Sequence, residues 1–370
     1  VVQGSERQGK GLLASSLEVT RKKQMRLTPE QILAGWDTVE RGDNVAPFPR
    51  EYRLYQPLTE AAHSYVRWAQ APHERIYTGI SKLDTEMRGI APGELAMLLG
   101  YSHGGKTLAL MHMLMQNADK KIAFFIPDEP RTLVLTKLTC MTHNVDARDL
   151  ERRVAQNDPD AIDLLRMTAE EMYPNLAVFD QPLTPSDMER AFGEVSDLWG
   201  AKPDLVVIDY LELVEAGEMV PEKAGFVKGF GRRHDVPLLV LHQTSRSSGA
   251  EGKKLTMSSG AYGGEQQATS IIGVRRKKYE IISEINELME KLDRNPTERT
   301  QERMEMLRHE LKIHEYTITL SLLKNKRPGG MLVDDIDFEL DIHTGRIYPL
   351  RDGELPDQYL RSINREGLYG

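Results

Sequence analysis

Residues 100 to 107 read Gly100-Tyr101-Ser102-His103-Gly104-Gly105-Lys106-Thr107, which fits the pattern G-x-x-x-x-G-K-[ST] without a gap. The flanks agree with it. Glu94 to Leu99 is a short, largely apolar run that predicts a buried strand, and Leu108 to Met115, rich in Leu, Met and Ala, predicts a helix. A strand, a glycine-rich loop and a helix in that order turn backbone N–H groups and a helix N-terminus onto a phosphate. Gly100, Ser102, His103, Gly104, Gly105, Lys106, Thr107 and Leu108 are therefore the candidate nucleotide-binding residues. Lys106 would reach the β- and γ-phosphates, and the Thr107 hydroxyl would ligate Mg²⁺.

Working outward, such a loop needs one acidic residue for the metal and another for the attacking water. Leu205-Val206-Val207-Ile208-Asp209 places Asp209 at the carboxyl end of an apolar strand, where it would hold Mg²⁺ through its water shell. Phe124-Phe125-Ile126-Pro127-Asp128-Glu129 offers two carboxylates at the end of another. Glu129, with the longer reach, is preferred over Asp128 as the water-orienting group. A third strand, Val236 to Leu241, ends in His242-Gln243-Thr244-Ser245-Arg246, and the Gln243 amide would report on the γ-phosphate.

The loop that follows, Ser247 to Gly264, is rich in Gly and Ser and carries Lys253 and Lys254. Together with Arg246 it is a candidate grip on a phosphate backbone. Arg275-Arg276-Lys277-Lys278 closes a later strand. It is either a second DNA contact or the solvated start of the helical segment behind it.

Apolar runs at Leu95 to Leu99, Ile122 to Ile126, Leu176 to Phe179, Leu205 to Ile208, Leu238 to Leu241, Ile271 to Val274 and Tyr316 to Leu323 alternate, in the early part, with helical stretches. That alternation predicts an α/β fold with a mainly parallel sheet flanked by helices, spanning residues 76 to 350. Residues 279 to 315 depart from it. Ile281, Ile285, Leu288 and Leu292, then Met304, Leu307 and Leu311, mark two narrow apolar stripes, expected to form an inserted antiparallel helical hairpin.

Before the α/β region, residues 1 to 75 read as a flexible arm with two short helices, one bearing Ile32, Leu33, Trp36 and Val39 and one running from Thr59 to Ala69. These are docking or linker helices, on their own domain or on a neighbouring copy. Residues 351 to 370 read as a polar tail. The chain begins at Val1 rather than Met, which points to missing or processed first residues.

Composition is that of a globular protein: 370 residues, 40% hydrophobic and 28% charged. No apolar run is long enough to cross a bilayer, so a cytoplasmic protein without a membrane partner is expected. The single Cys140 excludes an intramolecular disulfide and a cysteine-rich zinc module, and its apolar surroundings predict packing. A net charge of −8 gives no global pull toward nucleic acid, so any DNA contact must be local.

Taken together, these motifs resemble the RecA-like motor domain of DnaB-type replicative helicases, including phage-encoded members. Thr78-Gly79, Leu83-Asp84, Gly89, Pro92 and Leu95 are similar to that family's lead-in, and Val206 to Leu213 to its metal strand. Asp235-Val236-Pro237 with His242-Gln243 and Arg246 resembles its sensor segment, and Glu265-Gln266-Gln267-Ala268 its following signature. Lys324-Asn325-Lys326-Arg327, followed by Gly329, is similar to the Lys-x-Arg segment that such motors insert into a neighbour's nucleotide site.

The resemblance implies ATP with Mg²⁺ as cofactors. It also implies a homo-oligomeric ring, usually a hexamer, passing single-stranded or forked DNA with 5′ to 3′ movement. Replication or recombination proteins would be its partners. On this basis Lys324, Lys326 and Arg327 would be cations acting on the adjacent subunit's transition state. Three departures stand out. The helical N-terminal domain of these helicases has no counterpart here, the hairpin is extra, and Lys326 stands where the family has Arg.

Two other readings follow from the same residues. One is a RecA-like recombination or repair ATPase that does not unwind. The other is a metal-dependent nuclease using Asp335, Asp337, Glu339 and Asp341, which alternate along a predicted strand and would share one face. A row of that kind is also the ordinary blunting of an edge strand.

Overall fold

The structure is a computed structural model. It describes residues 57–244, 255–256, 259, 263–294, 297–351, 353–357 and 359–360. The predicted first helix, around Trp36, the basic loop residues Arg246, Lys253 and Lys254, and the last ten residues lie outside the described residues. The chain divides into two units, Val1–Gln70 and Ala71–Gly370.

In the first unit, helix α1 (Leu58–Gln70) has no buried residue. Leu58, Tyr65 and Val66 on it are exposed.

The second unit is built on a nine-stranded sheet among the described residues. In chain order its elements begin with α2 (Ser81–Met87), β1 (Leu95–Gly100), α3 (Lys106–Gln116), β2 (Ile122–Phe125) and α4 (Arg131–His143). Then come α5 (Ala147–Ala155), α6 (Pro159–Met167), β3 (Leu176–Phe179), α7 (Pro185–Trp199), β4 (Leu205–Ile208), α8 (Val220–His234) and β5 (Leu238–Gln243). The last are β6 (Ser270–Arg276), α9 (Lys277–Arg294), α10 (Glu298–Ile313), β7 (Thr317–Asn325), β8 (Val333–Leu340) and β9 (Ile347–Pro349). Strand order is β3-β2-β4-β5-β1-β6-β7-β8-β9. The pairings from β3 to β6 are parallel, and those from β6 to β9 are antiparallel. This is the mainly parallel α/β sheet that the alternation predicts, extended by an antiparallel edge.

Successive side chains of a strand point to opposite faces. Ala96 and Leu98 therefore join one core with α3, while Leu95, Met97 and Leu99 join the other with α7 and α8. Phe124 and Phe125 divide between the two cores in the same way, and Phe125 stacks on Phe179 at 4.9 Å between ring centroids. Burial on both faces is why these strands read as continuous apolar runs rather than alternating ones. Each fully buried Phe or Leu contributes roughly 1.5–3 kcal/mol. Cys140 packs with Leu150 and Ala161 in a small satellite core under α5 and α6.

Helix starts are written locally. Asp146 and Asp158 accept backbone N–H bonds at the first turns of α5 and α6, and Thr184 does so before Pro185 of α7. The hairpin α9–α10 leaves the sheet between β6 and β7, with Ile281, Met304 and Leu307 buried. Arg303 of α10 closes it with an ion pair to Glu284 of α9 at 2.9 Å. Among the described residues, no helix is long and apolar enough to cross a membrane.

Candidate nucleotide site

β1 ends at Gly100 and α3 begins at Lys106, so the glycine-rich loop joins the carboxyl end of a central strand to a helix N-terminus. Two glycines are required by the geometry. A Cβ on Gly100 would lie 2.2 Å from the carbonyl oxygen of Val274 on β6. Gly105 has φ +96°, where other residues are strained, and a Cβ there would also press on Ile318 of β7 at 3.0 Å. The loop thus leans directly on the neighbouring strands, leaving its N–H groups to the open side.

Lys106 is buried, and its Nζ donates to the carbonyls of Gly100 at 2.9 Å and Tyr101 at 2.8 Å. Burial pushes its pKa down to about 8, against the opposing pull of the Asp209 and Glu212 carboxylates. Ser102 and His103 are exposed at the loop tip, while Thr107 and Leu108 are half-buried at the start of α3.

Asp209 follows β4 and is buried, its N–H donating to the carbonyl of Phe125 at 2.9 Å. Burial, reinforced by the charge of Glu129, pushes its carboxyl up to about 7, although Lys106 and Lys137 pull the other way. Sheet order sets β5 between β4 and β1. Gln243 at the end of β5 therefore pairs with Gly100, one strand from Asp209 and one from the loop. The carboxyl ends of β1, β2, β4 and β5 bring Lys106, Thr107, Asp128, Glu129, Asp209 and Gln243 to one edge of the sheet. In such open sheets that edge is where ligands bind.

The two carboxylates after β2 differ in freedom. Glu129 is ion-paired to Lys137 of α4. Asp128 is exposed and makes no hydrogen bond or ion pair among the described residues.

The cationic segment lies elsewhere. β7 runs antiparallel to β6, so Lys324–Arg327 come out at the edge where β1 begins, opposite the loop. Over a six-residue strand that is a separation of roughly 17 Å. Arg327 is held there by Glu94 at 2.8 Å and by the carbonyl of Gly89 at 3.2 Å. Lys324 donates to the carbonyls of Glu265 at 2.9 Å and Gln266 at 3.2 Å. Lys326 is exposed, and its ammonium makes no hydrogen bond or ion pair among the described residues.

The basic cluster at the end of β6 is not a free surface. Arg275 is buried and ion-paired to Glu280 and Asp335, and Arg276 donates to the carbonyl of Glu315 at 3.0 Å. Neither arginine presents the open side chain that a DNA contact would need, because the hairpin base and β8 enclose them.

The same contacts occupy the acidic strand. Asp335 serves Arg275, Asp337 accepts from Lys277 at 2.9 Å and Thr319 at 2.6 Å, and Glu339 accepts the N–H of Asp357 at 2.9 Å. Among the described residues, no group of three or more His, Cys, Asp or Glu is placed to hold a metal ion. A two-metal nuclease centre therefore has no ligand set here. Mg²⁺ beside a nucleotide does not need one, since it takes one or two protein oxygens with phosphates and water. Thr107 and Asp209 fit that role, and the glycine cradle with buried Lys106 fits a phosphate.

Two residues of this region are not legible as site residues in the sequence. Lys137 partners Glu129 from the next turn of α4, and Glu212 bonds His242 and Gln243 from a short turn after β4. The one sequence hint was polarity, since Glu212 interrupts the apolar run Leu211 to Val214.

A phosphate loop, a metal aspartate and a sensor amide on one edge of a sheet in this strand order define a RecA-like P-loop ATPase. Residues 75–312 match the family described as the DnaB-like helicase C terminal domain, and the chain belongs to that family of ATP-hydrolysing helicase domains. No curated protein matches it.

Among solved structures, the chain is similar to a DnaB-like replicative helicase studied with its primase interactions. The TM-score is 0.59 and the identity 14%, over 92% of this chain and 76% of that one. It is also similar to a second structure, an ATPase domain solved on its own, with a TM-score of 0.60 and 16% identity over 80% of this chain and all of that one. The family match ends before β7, so Lys324–Arg327 lie beyond it.

Proposed function

We propose that this chain is a DNA motor that binds ATP with Mg²⁺, assembles as a homo-oligomeric ring, usually a hexamer, and moves 5′ to 3′ on single-stranded DNA to unwind a replication fork. The observation that supports it best is the placement of the cationic segment. Lys326 projects freely from the edge of the sheet opposite Lys106. A cation there cannot serve its own loop, but a head-to-tail copy would bring it to a neighbour's loop, and such heterologous contacts close into rings.

In each site, Lys106 and the loop N–H groups would bind the phosphates, and Thr107 and Asp209 would hold the metal. Asp128, the free carboxylate, would orient water, with the Glu129–Lys137 pair setting the local charge. Gln243 would contact the γ-phosphate. Lys326 from the neighbour would offset transition-state charge. Bound Mg²⁺ would supply charge neutralisation between the phosphates. Arg246, Lys253 and Lys254 remain the candidate DNA contacts.

The test is an end-labelled forked duplex incubated with protein and Mg²⁺, with and without ATP, read on native and denaturing gels. Full-length displaced strand that appears only with ATP, and is lost in Lys106→Ala, is the expected result. An intact duplex despite ATP hydrolysis would leave a remodelling ATPase, and shortened strands would revive the nuclease.

A further inference from the structure

We propose that Glu212 is a positioning residue that sets the end of β5, holding Gln243 in register with the phosphate loop through one carboxylate oxygen shared between the His242 imidazole and the Gln243 backbone. This rests on the reading of Gln243 as the γ-phosphate contact.

Glu212 lies in a single turn, Leu211–Leu213, just beyond Asp209. Its Oε1 is 2.8 Å from His242 Nδ1 and accepts the N–H of Gln243 at 2.9 Å. With a carboxylate oxygen as the partner, Nδ1 is the nitrogen that carries the proton. His242 is fully buried, so its ring is held by packing. The Glu212 main chain is fixed as well, because Lys223 Nζ donates to its carbonyl at 2.6 Å.

From Gln243 the connection continues into the loop. Gln243 pairs with Gly100, and the next N–H, of Thr244, donates to the Gly100 carbonyl at 3.2 Å. That carbonyl also accepts from Lys106 Nζ at 2.9 Å. One unbroken set of hydrogen bonds thus joins the turn after the metal strand, the sensor strand end and the phosphate-loop lysine.

Packing alone does not account for a carboxylate here. Glu212 Oε2 and His242 Nε2 are both buried without a hydrogen-bond partner, so the pair carries a desolvation penalty that an apolar pair would avoid. A shared acceptor that fixes two successive residues of β5 is what the pair provides in return.

The test measures steady-state ATP hydrolysis with Mg²⁺ and saturating single-stranded DNA, alongside binding of a fluorescent ATP analogue. Turnover in the wild type that Lys106→Ala abolishes establishes the site itself; without it, the proposed function fails independently of Glu212. Given that turnover, Glu212→Ala should lower kcat about tenfold while the KM for ATP stays within about twofold. Glu212→Gln keeps an acceptor oxygen and should stay within about threefold of the wild type.

If Glu212→Ala fails to fold, as judged by its melting curve, the pair His242→Asn and His242→Leu decides. Asn can donate near the Nδ1 position and should retain turnover, whereas Leu should lose it. Unchanged kcat in Glu212→Ala or in His242→Leu would overturn the proposal. So would a Glu212→Gln variant as impaired as Glu212→Ala, since charge rather than a held acceptor would then be responsible.

Discussion

Arg327 donates to Glu94 across 2.8 Å, at the start of the strand whose other end carries the phosphate loop. The arginine is thereby committed within its own subunit, and its neighbour Lys326 is left exposed. Removing each should therefore have different consequences. Lys326→Ala should reduce kcat by about 10³-fold with ATP binding retained. Arg327→Ala should chiefly lower stability, by about 1–3 kcal/mol, through the carboxylate it leaves half-buried. Mixed rings sharpen the test, since Lys106→Ala and Lys326→Ala subunits combined should regain turnover at interfaces pairing the intact halves. Inactive mixtures would place the cation in its own subunit's site or elsewhere.

Asp128 and Glu129 compete for the role of orienting water, and the Lys137 ion pair separates them. Asp128→Asn should bind ATP normally and lose turnover by about 10²–10⁴-fold. Glu129→Gln should lose less, because it removes a charge already balanced by lysine. Single-turnover hydrolysis measures both, and the opposite ranking would return the role to Glu129.

Asp209 supplies a pH test that requires no ligand. Its carboxyl is raised from 3.8 to about 7, chiefly by burial. Between those values the folded chain keeps a proton that the unfolded chain has released, so this group's contribution to stability falls as pH rises through that window and levels off above it. Asp209→Asn should therefore gain stability relative to the wild type between about pH 4 and pH 7. Urea unfolding of both proteins at several pH values would show it, and a constant difference would mean that the carboxyl titrates normally.

Arg275 is buried between Glu280 and Asp335 at the base of the hairpin. Asp335→Asn or Glu280→Gln alone leaves one carboxylate in place and should be tolerated. Together they should cost about 3–5 kcal/mol, more than the sum of the single effects, because the guanidinium is then buried without a counter-charge. A double-mutant cycle by urea unfolding gives the coupling directly, and additive losses would show that the arginine does not depend on this pair.

How far the sequence could be read depends on whether a feature is local. The loop from Gly100 to Thr107 and the apolar strands around it carry their meaning in consecutive residues, and the sheet follows from them. Strand β9 was not legible, because Ile347–Pro349 is three residues long and pairs only with an antiparallel edge. The charges were harder still. Arg275 and Asp335 read as separate surface features until β6, β7 and β8 pair and bring them into one buried group. Glu212 and His242 meet only because β4 and β5 are neighbours. Patterns in sequence report which face a residue takes, but they say little about which charge across the fold neutralises it.

The contact of Gly100 with Val274 has a mechanical side. The same strand that walls the phosphate loop continues through Arg276 straight into α9, whose 18 residues extend about 27 Å. A tilt of about 5° at the root of an arm that long displaces its tip by roughly 2 Å. The hairpin is thus a lever with its fulcrum at the phosphates. Small adjustments of the loop are enlarged at the far end, where an attached surface would feel each nucleotide as a stroke.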